Sequence, residues 1–177
     1  MVRFIGLILA GALLAGCSGE TAITTKPDST ASTAPSGKTA AAKVGDSITL
    51  KGSDNKKARV TILKVIDPAK PTGDFDKPDP GTRWVAVQMK IENSGTVVIE
   101  DAPLNGLTAI DGAGQQFDPY VTGTAIGGPQ LGTIKISGGD ARTGFLVFKV
   151  PTASKLVKIQ FALDSGFADD TGEWVIG

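Results

Sequence analysis

Few side chains in this sequence could do chemistry, and their types limit what that chemistry is. The 177 residues include one cysteine, Cys17, and no histidine. The commonest general base and the commonest metal ligand are therefore both missing. One thiol makes neither an internal disulfide nor a thiolate zinc cage. Ser47 follows Gly45-Asp46, but a serine hydroxyl attacks only when a base takes its proton. Here that base would have to be a lysine or an aspartate. Carboxylates bunch in two places. Asp67, Asp74, Asp76 and Asp79 crowd residues 67–81, and Asp169 and Asp170 stand near Glu173. Hard oxygen ligands suit calcium, which makes Asp74, Asp76, Asp79, Asp169 and Asp170 the candidates for a calcium or small-ligand carrier. Lys70 and Lys77 interleave the first group, four prolines stiffen it, and its spacing is not that of an EF-hand. The favoured reading is two solvated loops. No motif calls for a cofactor.

Cys17 stands after the apolar run of residues 4–15, which Arg3 precedes. A helical bilayer span needs about 20 apolar residues, so this run is too short for one. It fits the hydrophobic region of a signal peptide over residues 1–16, with the small residues Ala15 and Gly16 before the cut. Leu14-Ala15-Gly16-Cys17 resembles a bacterial lipobox. That resemblance implies cleavage before Cys17 and a diacylglyceryl thioether on its sulfur. Two acyl chains, of palmitate type, hold firmly where one is marginal, at about 0.8 kcal/mol per buried methylene. The expected location is the extracytoplasmic face of the cell membrane, anchored through Cys17.

Residues 18–43 are mostly Ser, Thr, Ala, Gly and Pro, and Ile23 is their only large apolar side chain. Such a segment cannot bury enough surface to offset its ordering entropy. Residues 17–43 therefore read as a lipidated cysteine and a disordered tether, spanning about 28 Å as a flexible coil. Its Ser and Thr content also permits O-glycosylation.

From Val44 onward the pattern is that of strands. Residues 47–51 alternate polar and apolar, as do residues 58–62, after which the phase slips near Leu63 and Lys64 as at a β-bulge. Residues 83–93 place Val85, Val87, Met89 and Ile91 on one face and Ala86, Gln88, Lys90 and Glu92 on the other. Asn93-Ser94-Gly95 reads as a turn that sends residues 96–99 back. Further strands follow over residues 107–111, 115–118, 133–137, 143–150 and 156–163, and the C-terminal GEWVIG reads as a closing strand with Trp174. Eight or nine short strands without a clear helix indicate an all-β immunoglobulin-like sandwich of two antiparallel sheets over residues 44–177.

Several segments carry a resemblance: VGDSITLKG, ARVTILKVIDPAKP, TRWVAVQMKIENSGT, LTAIDGAGQQF and GGDARTGFLVFKVPTASKLVKIQFALDSG, in that order. Together they resemble the telokin-like immunoglobulin-fold domain of actinobacterial lipoproteins and secreted antigens. The resemblance implies the sandwich and supplies no catalytic residues, since fold does not fix function. GDSIT also resembles the nucleophile block of GDS-type serine hydrolases. Those enzymes use a histidine that this chain lacks, and here the serine would begin a strand.

The expected function is a non-catalytic interaction module displayed on the tether. Trp84 and Tyr120 are the binding candidates, with Phe75 and Phe117 beside loops and the Gly-rich loop of residues 118–132 as a further surface. Eighteen basic and eighteen acidic residues balance, so nucleic acid is not an expected partner. An envelope protein or glycan is, and the domain is expected to be a monomer.

Overall fold

The computed structural model describes residues 23–24, 42–121 and 126–177. Residues 1–16, Cys17 and most of the tether lie outside the described residues. Among the described residues, with three 3₁₀ turns between them, twelve strands and one short α-helix follow in order. They are β1 (Ile23–Thr24), β2 (Ala42–Lys43), β3 (Ser47–Lys51), β4 (Lys57–Ala69), β5 (Thr82–Asn93), β6 (Ile99–Asp101), α1 (Pro103–Gly106), β7 (Leu107–Asp111), β8 (Gln116–Phe117), β9 (Ile134–Ile136), β10 (Ala141–Pro151), β11 (Leu156–Ala162) and β12 (Thr171–Val175). One sheet has the order β1-β3-β4-β5-β10, and the second has the order β2-β12-β11-β7-β8. The two pack face to face as a β-sandwich.

The alternation of β5 decides how the layers meet. Val85, Val87, Met89 and Ile91 are fully buried. They face inward with Ile48, Leu50, Val60 and Ile62 on one side of β5, and Leu146, Phe148 and Val150 on the other. The second sheet answers with Leu107, Ala109, Ile159, Phe161 and Trp174. The phase slip expected near Leu63 is present as a register shift between Ile62 and Lys64 in the β4–β5 ladder. Trp174 is fully buried and donates its indole N–H to the carbonyl of Asp46 at 3.0 Å.

Three expectations need correction. The chain does not turn back along β5 after Asn93. Both edges of β5 are already taken, by β4 and β10, so residues 99–101 pair with β9 in a separate two-stranded sheet. Buried Asn93 enforces the exit: its side-chain amide donates to the carbonyls of Val97 and Ile136, and its oxygen accepts from Gly95 N–H. Second, one ladder of the second sheet, β2 with β12, is parallel. Third, the tether does not run unstructured to Lys43. Ala42 is buried in the main core, and Ala42 and Lys43 pair with Trp174 and Val175. The backbone of Ile23 and Thr24 pairs antiparallel with Ile48 and Ser47.

Candidate functional site

A sheet face that meets water should alternate to polar side chains. The outer face of β5 and β10 does so only in part. Gln88, Lys90 and Glu92 are polar, but Trp84, Ala86, Phe145 and Val147 are buried apolar residues that form a second, smaller core with Ala69 and Ile126. Residues 118–121 and 126–132 cover this half of the face, and the open edge of β10 holds them there. Tyr120 N–H donates to Val147 C=O at 2.6 Å, Phe145 N–H to Pro129 C=O at 2.8 Å, and Leu131 N–H to Phe145 C=O at 2.9 Å. Two glycines make this close approach possible. A Cβ on Gly144 would lie 2.7 Å from the Leu131 nitrogen, and one on Gly128 (φ +146°) would lie 2.6 Å from the Phe145 ring.

A polar hollow of about 290 Å³ opens beside this covering segment. Phe75, Tyr120 and Val121 line it, and all three are exposed. Tyr120 is 46 % exposed and rests on buried Trp84, ring centroids 5.3 Å apart and planes tilted by 42°. The Lys149 ammonium lies 4.7 Å from the Tyr120 ring centroid and pairs with Asp79 at 2.9 Å. Its hydrogen bond to Asp79 raises the Lys149 pKa above the ordinary lysine value, so the cation persists at all physiological pH. Trp84 N–H donates to the carbonyl of Asp76 and so ties the loop of residues 70–81 to the sheet. Phe75 projects from the 3₁₀ turn of that loop, fully exposed. A second hollow, of about 250 Å³, shares Tyr120 and Val121 and runs along β10 past Leu131, Leu146 and α1. The arrangement offers exposed aromatic and aliphatic surface on a rigid sheet, ringed by charges of both signs. It can bind; among the described residues it contains no nucleophile–base pair.

The residues singled out in the sequence fall as follows. Tyr120, Phe75 and Trp84 all line one hollow, but Trp84 is only 5 % exposed and carries the Tyr120 ring. Phe117 packs against the main core. Ser47 Oγ lies 2.7 Å from Thr61 Oγ1 on the neighbouring strand, so its hydroxyl partner is another hydroxyl and not a base. Gly45 and Asp46 form the turn before it, where Asp46 accepts from Lys43 N–H. The aspartates are not brought together. Asp67 belongs to β4 and takes both ends of the Arg83 guanidinium. Asp74 pairs with Lys77, Asp76 accepts from Thr72, and Asp79 holds Lys149. Asp170 accepts from Lys51 N–H at the opposite end of the sandwich. Among the described residues no three His, Cys, Asp or Glu side chains converge on a metal position. Cys17 lies outside the described residues.

Lys149, Ile126 and Phe145 escaped the sequence reading. A signal existed: Phe145 and Val147 alternate with Leu146 and Phe148, so β10 is apolar on both faces and needs cover on both.

At the other end, Asp101 closes a corner of the fold. Its buried carboxylate accepts from the backbone N–H groups of Ala102 (2.7 Å), Ser165 (2.7 Å) and Asp164 (3.1 Å). Burial outweighs these bonds and raises its pKa above the ordinary aspartate value. Burial would also push Asp164 up, but its bonds from Lys56 and Ser53 hold it below that value.

The sequence model for the family described as a domain of unknown function (DUF4352) matches residues 43–171. The chain belongs to that family. The matched range runs from the last residue of β2 to the first residue of β12, so it covers most of the sandwich. No curated protein matches the chain. The solved structures that share its fold include three from Mycobacterium tuberculosis and Bacillus subtilis. The secreted protein MPT63 of Mycobacterium tuberculosis aligns with a TM-score of 0.57 at 14% identity, over 79% of this chain and 99% of that one. The yjhA protein of Bacillus subtilis aligns with 0.53 at 17% identity, over 76% and 97%. A candidate lipoprotein of Bacillus subtilis, ycdA, aligns with 0.54 at 18% identity, over 72% of this chain but only 38% of the longer ycdA chain. At these identities the likeness shows the fold.

Proposed function

We propose that this chain is a lipid-anchored envelope protein. In this reading its DUF4352 sandwich is a non-catalytic binding module, and its contact surface is the hollow at Tyr120. The observation that carries the reading is convergence. Phe75, Tyr120 and Val121 are three of the few large apolar side chains left exposed, and all three line one hollow. Isolated exposed apolar residues need no explanation, but a cluster on a rigid scaffold marks an interaction site. The envelope location rests on the lipobox at Cys17. It is supported by the candidate lipoprotein and the secreted protein that share the fold. The telokin-like domains of actinobacterial lipoproteins are the setting this reading assigns, with an envelope protein or glycan as partner. A hydrolase at Ser47 loses its support, because the hydroxyl faces Thr61. Calcium carriage loses its support too, because Asp79, Asp74 and Asp76 each serve a separate partner.

The test is a photo-crosslinking residue placed at Tyr120 in the native envelope, beside a control at Arg59 on the polar part of the same sheet. One discrete adduct at position 120, lost on Phe75→Ala and absent at position 59, is the expected result. Equal labelling at both positions, or none at position 120, overturns the assignment of the site. Intact mass of the extracted protein checks the anchor separately, as a diacylglyceryl adduct that Cys17→Ala removes.

A further inference from the structure

Ile23 is the only large apolar residue of the tether, and among the described residues it lies in the tether segment paired along β3: Ile23 is opposite Ile48 and Thr24 opposite Ser47. Two observations of different kind thus select the same dipeptide. β-Branched Ile and Thr are the residues that favour a strand, and the outer edge of β3 is an unpaired ladder unless something covers it. The pairing also sets a direction. It is antiparallel, so read toward its N-terminus β1 points at the Lys51 end of β3. Only five residues separate Ile23 from Cys17, a reach of at most about 20 Å.

The Lys51 end of the sandwich is defined on all sides. Lys51 pairs with Lys57, Ala58 with Asn93, and Glu92 with Ala141. Residues 164–170 join them there through Lys56–Asp164 and the Lys51–Asp170 hydrogen bond. This end carries Phe167, 88 % exposed. The Tyr120 hollow, with Phe75 and Asp79, lies toward the opposite end, where Pro151 pairs with Thr82 and Ala69 with Trp84. β5 alone has twelve residues, about 40 Å at roughly 3.3 Å per residue.

We propose that β1 is a strap that orients the sandwich on the membrane. Docked on β3, it holds the Lys51–Phe167 end toward the lipid surface and turns the Tyr120 hollow outward, about 40 Å further from the bilayer. Released, the tether becomes a flexible coil of about 28 Å root-mean-square span, and the domain tumbles at its end. In the docked state Phe167 is the exposed apolar side chain at the end that faces the lipid surface. This rests on the reading of Cys17 as the lipid-bearing residue.

Two measurements separate the strap from the anchor. In a Cys17→Ala chain, Thr24→Cys with Ser47→Cys should close a disulfide under mild oxidation, while Ser32→Cys with Ser47→Cys should not. Equal closure of the two pairs, or none, overturns the strap, and lipid plays no part in that result. In the lipidated chain, reconstituted in phosphatidylcholine–phosphatidylglycerol vesicles, a dye at Asp169→Cys should transfer energy to a lipid-borne acceptor more efficiently than one at Lys70→Cys. Ile23→Pro with Thr24→Pro removes ladder donors and should abolish that difference. Equal transfer from both positions in the unaltered tether overturns the orientation, as does a difference that survives the prolines. If the disulfide closes in the Cys17→Ala chain but the chain that keeps Cys17 does not float with vesicles, the anchor is refuted instead, and the orientation falls with it.

Discussion

Asp101 gives the sharpest test of the electrostatics described above. Its carboxylate serves three backbone N–H groups at the junction of β6, α1 and the turn of residues 164–166. In Asp101→Asn one oxygen can still accept from Ala102 and Ser165, but the new amide faces the N–H of Asp164 across the former 3.1 Å bond. A donor left facing a donor costs about 1–3 kcal/mol. Asp101→Ala orphans all three N–H groups and should cost about 2–4 kcal/mol. The pH dependence is the stronger discriminator. A raised carboxyl holds its proton more tightly in the folded state than in the unfolded one. Its contribution is therefore fully present below the ordinary aspartate value, about 3.9, and is lost as pH rises through its own higher value. Asp164 and Glu173 act in the opposite sense. Burial opposes both shifts, but Lys56 with Ser53, and Gln160 with Lys158, hold the two groups low. Their contribution is present above the ordinary values and is lost as pH falls. Urea unfolding of both chains from about pH 3.5 to pH 7 reads the difference directly. The stability gap between the native chain and Asp101→Asn should narrow as pH rises above about 4. A gap that widens with pH would mean that the three N–H donors outweigh burial, and the account of this corner would be wrong.

Other perturbations follow from single contacts. Gly144→Ala places a methyl 2.7 Å from the Leu131 nitrogen. Segment 129–131 must leave the β10 edge, at about 2–4 kcal/mol for the overpacking and the lost bonds. Hydrogen exchange should show Leu131 and Phe145 amides losing protection while Met89 and Ile91 keep theirs, and crosslinking at Tyr120 should weaken. Ser47→Ala removes only the Thr61 contact and should cost about 1 kcal/mol or less; a fluorophosphonate probe should label neither chain. Millimolar calcium should leave the melting temperature unchanged, since ligand binding to the folded state alone would raise it. A rise would mean that Asp74, Asp76 and Asp79 rearrange out of their separate pairings.

The parts of this protein that were legible in its sequence are those where one strand carries its own periodicity. β5 and β10 announce their inward faces, and the slip after Ile62 announces its bulge, because a period of two is a local property. Pairing is not local. Nothing within residues 96–99 records that β5 already has two neighbours, so the expected hairpin gives way to a third small sheet. Asn93 looks like a turn residue and is one, but its side chain also reaches Ile136 across a gap of 43 residues.

The candidate site illustrates the same limit from the other direction. Tyr120 could be picked out by type, and Phe75 by its place in a polar loop, yet only the fold shows that they share a hollow. The aspartates around Phe75 were candidates for one ion because they are near in sequence, beside the favoured reading of a solvated loop. In space they point to Thr72, Lys77 and Lys149, and the last of these carries a cation to the Tyr120 ring. The acidic loop is thus a brace. By pairing with Lys149 it fixes the charge beside Tyr120, and through Trp84 N–H it fixes the loop that presents Phe75. Crowded carboxylates and exposed aromatics, weighed separately in the sequence, are in the structure the support and the lining of a single hollow.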